Sequence, residues 1–270
     1  MLKRLSYQFG SFALLCLWTL TMLLGYSGSA AASKVVESMG FDPTASTINV
    51  VSTYATTPAT QKTVLKSALK ASKTLYKKAP GFQGLSILQS VDGAQVVTLT
   101  QWQDQASYEA ATAAAATAAA AKLTEKSTKK AAPGAELPTP VTTVFELDQA
   151  AAPTGMVVAL RGENAVVQWE TLTPATPEAQ AKVVAAAEAV FPTLQTLYPA
   201  PRSTVLLKGV DTPAVGLLTS WGYADEFADV TQIPTLNPAT EAGTEVEAEH
   251  HLLTVVKVVA PKVKAAEEED

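Results

Sequence analysis

The sequence predicts an α+β fold written as two consecutive β-α-β-β-α-β units behind an N-terminal targeting segment. Three observations predict it. Runs rich in β-branched residues alternate with apolar residues at helical spacing, and the series occurs twice. The two series align with one another across their hairpins. A basic, then apolar, then small-residue stretch precedes both. At 270 residues and 47% hydrophobic content, the chain has material for about two domains of roughly 150 residues.

The targeting segment comes first. Met1 to Gly10 carries Lys3 and Arg4 and no acid, Ser11 to Tyr26 reads SFALLCLWTLTMLLGY, and Ala30-Ala31-Ala32 follow. This is the layout of a secretory signal, with cleavage expected after Ala32 and export to a periplasm, lumen or exterior. The alternative is an uncleaved anchor over residues 11–26, a run near the minimum for a membrane span. Cys16 is the single cysteine, so a disulfide framework and a cysteine-built metal site are excluded. The organisation expected is 1–32 signal peptide, 33–150 first unit, and 151–270 second unit with an acidic tail.

Charge narrows the partners. The net charge of -5 and pI near 5.2 argue against nucleic acid. Loss of residues 1–32 takes the chain to -7, split as +2 over residues 33–150 and -9 over residues 151–270. The two units therefore carry charge of opposite sign.

In the first unit, Thr47 to Ala55 (TINVVSTYA) has the density of a strand. Thr57-Pro58 opens a helix. Val64, Leu65, Ala68, Leu69, Leu75 and Tyr76 form its apolar face, opposite a stripe of five lysines from Lys62 to Lys77. Ala79-Pro80-Gly81 stops it. Gly84 to Val91 and Ala94 to Trp102 make a hairpin around Asp92-Gly93. A second helix starts near Asp104 or Ser107 and runs into the alanine tract 110–121, and Val141 to Leu147 is the last strand. The second unit repeats the order. Asn164 to Thr171 is a strand, and Thr176-Pro177 opens a helix that Pro192 should kink or end. Thr204 to Val210 and Ala214 to Trp221 are the hairpin, and His251 to Val259 is the final strand.

The duplication is direct at the hairpins. Val96, Leu99, Thr100 and Trp102 stand against identical Val215, Leu218, Thr219 and Trp221, and Tyr108 stands against Phe227. The order is that of the ferredoxin-like, or split-βαβ, fold. Its sheet carries both helices on one face. Here the strands are apolar on both parities, as at Val96, Val97 and Leu99, where a half-solvated sheet would alternate. The two sheets are therefore expected to cover each other within one chain, with a possible cavity between sheet and helices.

The segments Pro80-Gly81-Phe82, Val91-Asp92-Gly93, and Val96 to Trp102 followed by Tyr108-Glu109-Ala110 resemble the antibiotic biosynthesis monooxygenase family, a dimeric α+β barrel group. The second unit keeps Trp221 and Phe227 but has Pro201-Arg202-Ser203 in place of Pro-Gly-Phe. The resemblance implies sheet-to-sheet dimerisation, which two units in one chain would supply as an internal pseudo-dimer. It implies cofactor-independent oxygenation of phenolic molecules or haem breakdown. It also places Trp102 and Trp221 on a pocket wall.

On this reading the catalytic candidates are Trp102 and Asn49, with Asn49 hydrogen-bonding a phenolate or ketone. Tyr54, Tyr108, Trp169 and Trp221 are the substrate-binding candidates. Packing is the competing role for each aromatic residue. Haem is disfavoured because no histidine lies on the helix after Trp102, nor after Trp221 before His250. His250 and His251 are neighbours on an extended segment, so their rings diverge and make no metal site. The partner expected is a small hydrophobic or aromatic molecule, with no metal or organic cofactor. Membrane contact is expected only through an uncleaved N-terminus. Two functions follow: an oxygenase-like enzyme of the cell envelope, or an envelope binding or structural protein that keeps the fold without the chemistry.

Overall fold

The computed structural model describes residues 37–72, 79–126, 138–194, 196–197, 199–230, 233–234 and 243–260, with side chains 118–126 left aside. The expected signal peptide, the 131–137 part of the linker and the acidic tail lie outside the described residues. No helix among the described residues is long and apolar enough to cross a membrane.

Among the described residues, ten strands and three α-helices follow one another as β1 (Ser38–Gly40), β2 (Ile48–Ala55), α1 (Gln61–Ala71), β3 (Phe82–Ser90), β4 (Gln95–Trp102), α2 (Gln105–Lys126), β5 (Val141–Ala151), β6 (Ala159–Arg161), β7 (Ala165–Pro174), α3 (Pro177–Leu194), β8 (Ser203–Gly209), β9 (Val215–Tyr223) and β10 (Val246–Val259). Eight strands close a barrel in the order β10-β3-β4-β2-β5-β8-β9-β7. Every pairing in it is antiparallel. Strands β2 to β5 have the ferredoxin-like order, and so do β7 to β10. The two sets join by edges, β5 on β8 and β10 on β3. Closure leaves no unpaired edge in the barrel, and the strands are apolar on both faces because one face lines the barrel interior and the other packs under the helices.

Three cores result. One fills the barrel and includes Val51, Leu88, Leu99, Phe145, Val167, Trp169, Leu207 and Val255. A second lies between β2–β4 and their helices around Val50, Val64, Leu85, Ile87, Val96 and Trp102. A third lies under α3 around Leu172, Val183, Phe191, Leu206, Leu217 and Trp221. Strand alternation sorts neighbours between these spaces: Val50 faces the helices and Val51 faces the barrel.

The predicted hairpin is present. Asp92 Oδ1 accepts the Ala94 N–H at 2.9 Å, and Gly93 has φ 81°. A Cβ there would meet Pro58 Cα at 2.9 Å, so the turn requires glycine. Helix α3 ends at Leu194, and Pro192 sits in its last turn, as its lost N–H and ring clash dictate.

Two features differ from the expectation. β1 pairs with β6 as a separate two-stranded ladder that carries Met39, Phe41 and Leu160 into the barrel core. Gln101 Nε2 donates to Gly40 O at 2.9 Å and fastens it. Each of these strands has three residues, too few to show a period. The second unit also lacks the predicted second helix among the described residues. A 3₁₀ turn, Ala224–Glu226, follows β9 instead. Among the described residues beyond it stands Pro234, which cannot donate a helical hydrogen bond.

Candidate functional site

The six residues singled out from the sequence fall into three separate spaces. Trp102, Tyr54 and Tyr108 share the layer between the first set of strands and its helices. Trp102 is fully buried. Its ring meets Phe82 edge-on at 5.5 Å between centroids and Tyr108 at 5.8 Å, both within aromatic contact range. Its indole N–H donates to Thr100 Oγ1 at 2.9 Å. Burial pushes both tyrosine hydroxyls up from their ordinary range, and Tyr108 adds to the effect at Tyr54. These phenols are therefore neutral hydrogen-bond donors at neutral pH.

Asn49 does not join them. Ile48 is the cross-strand partner of Trp102, whereas Asn49 is opposite Gln101 and Phe145. Cross-strand partners share a face, so Asn49 points into the barrel and Trp102 points toward the helices. One small ligand cannot touch both. The expected Asn49–Trp102 pairing is corrected by strand alternation. Asn49 is fully buried, and neither Oδ1 nor Nδ2 has a hydrogen-bond partner.

Trp169 also faces the barrel, packed edge-on against Phe145 at 6.0 Å. It was expected to line the same cavity as Tyr54 and Tyr108, and it sits on the opposite side of the strands. The close approach of Gly216 accommodates its ring, since a Cβ there would lie 2.4 Å from Trp169 Cη2.

Trp221 occupies the apolar layer under α3, where a polar side chain meets its indole nitrogen. Its N–H donates to Gln168 Oε1 at 3.0 Å, and Gln168 Nε2 lies 3.4 Å from His250 Nδ1. Two residues along β7 stands Glu170, only 2% exposed, with Oε2 unpartnered. Burial pushes its carboxyl up to about 7. Burial also lowers the His250 pKa, with the neighbouring His251 adding to the effect. The sequence reading passed over Gln168 and Glu170. A signal was available: Val-Val-Gln-Trp-Glu-Thr-Leu puts an amide and a carboxylate on one parity of a strand buried on both faces.

The two histidines diverge as expected. His251 reaches Gln95 Nε2, 2.9 Å from its Nδ1, away from the Gln168 contact of His250. No cluster of metal-ligating side chains occurs among the described residues. An open cleft of about 410 Å³, including its mouth, lies between Arg161, Arg202, Ser220 and Tyr223. Arg202 is committed there to Glu226 at 2.5 Å.

Residues 47–123, which hold β2, α1, β3, β4 and most of α2, match the model of the antibiotic biosynthesis monooxygenase family. The segment holds Trp102, Tyr54 and Tyr108, and the resemblance read from its motifs is borne out there. No curated protein matches the sequence. Among solved structures, the chain is similar to an anthrone oxidase-like protein, with 16% identity, TM-score 0.60, and coverage of 84% of this chain and 98% of that one. It is also similar to a protein from Fusobacterium nucleatum described as a monooxygenase candidate, with 10% identity, TM-score 0.51, and coverage of 81% and 96%. At these identities the likeness is one of fold.

Proposed function

We propose that the protein is an exported, monooxygenase-like enzyme that holds a small phenolic molecule against Trp102 in the layer between the first strands and their helices. One observation carries the reading. Within the segment that matches the family, Trp102 is flanked by Phe82 and Tyr108, and Tyr54 lies on the same face further along β2, opposite Val96. A flat aromatic ligand gains stacking contacts in such a layer. The two neutral tyrosine hydroxyls supply hydrogen bonds to a carbonyl or phenolate oxygen. The substrate's own electron-rich anion then reacts with oxygen, with no metal or organic cofactor.

The internal pseudo-dimer belongs to the same proposal. We read β2–β5 and β7–β10 as copies of one ancestral unit, on the identical hairpin residues and the shared strand order. The copies have diverged in chemistry, because Trp102 is hydrogen-bonded within its own strand and Trp221 is tied to Gln168.

A second reading has an observation of its own. Trp102 is fully buried with its N–H already satisfied, which is how a packing residue looks. A binding or structural protein of the envelope would keep such a residue for the fold. Oxygen uptake by the mature chain over a panel of phenolic substrates separates the two. The enzyme reading expects turnover that falls at least about tenfold in Trp102→Phe, roughly 1.4 kcal/mol of transition-state binding. No turnover across the panel favours the second reading.

A further inference from the structure

The sequence holds three arginines and seventeen lysines. Arg4 lies in the N-terminal segment, and the other two, Arg161 and Arg202, line one cleft. Arg161 ends β6 and Arg202 precedes β8, so the fold brings them together. A chain that uses lysine for its other surface cations has set both arginines where a planar, five-donor fork differs from a point charge. The cleft arises from a divergence between the two units. In the first, Gly81 packs on Ser107 at the start of α2, and a Cβ there would lie 2.4 Å from Ser107 Oγ. In the second, Arg202 stands in place of that glycine, and Glu226 precedes Phe227 as Ser107 precedes Tyr108. Arg202 Nη2 donates to Glu226 Oε2. Among the described residues a 3₁₀ turn follows β9 where α2 follows β4, so no helix start closes over this position. The pairing of β9 with β7 also slips between Val166 and Val167, a bulge that re-aims the strand. Gly222 beside it has φ 133°, and a Cβ there would meet Glu226 Oε2 at 2.6 Å and Arg202 Nε at 3.0 Å. Glycine is what seats the ion pair against the strand.

The groups at the cleft define what it takes. Each guanidinium carries five N–H donors and no acceptor. Arg161 Nη2 donates to Val157 O at 3.0 Å, and Arg161 has no carboxylate partner among the described residues. Arg202 gives one N–H to Glu226 and lies over the Tyr223 ring, 5.9 Å from its centroid, within cation–π range. Donors remain on both forks. Glu226 shows the chemistry that such a fork accepts, a carboxylate oxygen. Two guanidiniums and one carboxylate leave a single positive charge, which a monoanion neutralises. A dianion would add negative charge to residues 151–270, which already carry -9. The remaining walls, Met156, Ala159, Ala165 and Tyr223, are largely apolar. Met156 and its neighbour Val157 stand 49% and 68% exposed at this rim, where they offer contact to a hydrocarbon chain. Apolar walls with a few convergent polar groups are the composition of a small-ligand site.

We propose that this cleft binds a small carboxylate monoanion with a short aliphatic tail, the carboxylate bridging Arg161 and Arg202 and the tail resting on Met156 and Tyr223. The site lies outside the layer that holds Trp102. It stands on binding alone and rests on neither reading of Trp102.

The test is NMR titration of the mature full-length chain, from residue 33 onward, in which Arg161 and Arg202 are the only arginines and give two side-chain Nε–H signals. Butyrate moves both signals saturably and binds about tenfold more tightly than butyramide, its neutral isostere. Acetate, which lacks most of the tail, binds about threefold more weakly than butyrate. Arg161→Gln and Arg202→Gln each weaken butyrate about threefold or more, and so does Arg202→Lys, which keeps the charge and loses the fork. Glu226→Gln removes the competing carboxylate and tightens butyrate about threefold. No saturable movement of either signal, equal binding of butyramide, or the same movement with potassium chloride at matched ionic strength overturns the proposal. Tighter binding of inorganic phosphate than of butyrate overturns the monocarboxylate assignment, and undiminished butyrate binding by folded Arg161→Gln overturns the site. The arms that use wild type alone decide the matter even where a variant fails to fold.

Discussion

Glu170 shows most plainly what burial does to a single residue. Burial pushes its carboxyl up to about 7 in the folded chain, above the ordinary carboxylate range, so between those values the folded state holds a proton that the unfolded state has released. Stability is therefore greatest below the unfolded value and declines as pH rises through about 7. The decline amounts to about 3 kcal/mol, readable as a falling Tm over that window. Glu170→Gln removes this slope and is the more stable protein at pH above 7. Trp102 tests packing rather than charge. Trp102→Ala empties a fully buried site and costs about 3–5 kcal/mol in chemical denaturation. Both tryptophans were legible in the sequence because an aromatic residue closing a strand is conspicuous. Glu170 was not, because its meaning depends on which face of β7 it occupies, and β7 is apolar on both.

Among the elements, the β2-α1-β3-β4 series followed the sequence closely. The Asp-Gly turn and the Thr176-Pro177 start of α3 are local chemistry, set by residues within a few positions of each other, whereas α1 begins at Gln61 rather than at Pro58, and residues 73–78, which lead to its expected Pro-Gly stop, lie outside the described residues. The ladder of β1 and β6 was hidden because its pairing spans more than a hundred residues and neither strand is long enough to alternate. Face assignment was hidden for a related reason. Asn49 and Trp169 were grouped with Trp102 and Tyr54 by residue type, yet strand alternation turns them into the barrel. The contact between β9 and β7 offers a clean test of that interior packing. Gly216→Ala drives a methyl into the Trp169 ring and costs about 1–3 kcal/mol as overpacking. Gly40→Ala, whose nearest neighbour would be Val158 O at 4.0 Å, changes stability by no more than about 0.5 kcal/mol.

For the whole molecule, closure is what makes two ferredoxin-like sets into one compact unit spanning Glu37–Asp270. The apolar character of both strand faces signalled that the sheets must cover each other. It could not say that they would also join at their edges, since edge pairing is made by backbone groups common to every sequence. Export belongs to this scale as well: mass spectrometry of the secreted chain should find it beginning at residue 33, and an intact N-terminus would favour the anchor. The central claim is that β5 on β8 and β10 on β3 weld the two sets into one barrel. Amide hydrogen exchange on the intact protein tests it most directly. Amides of β5, β8, β3 and β10 at the two seams should exchange as slowly as those between β2 and β4, all lost together on global unfolding. Fast exchange at both seams beside a protected β2–β4 ladder would contradict the account.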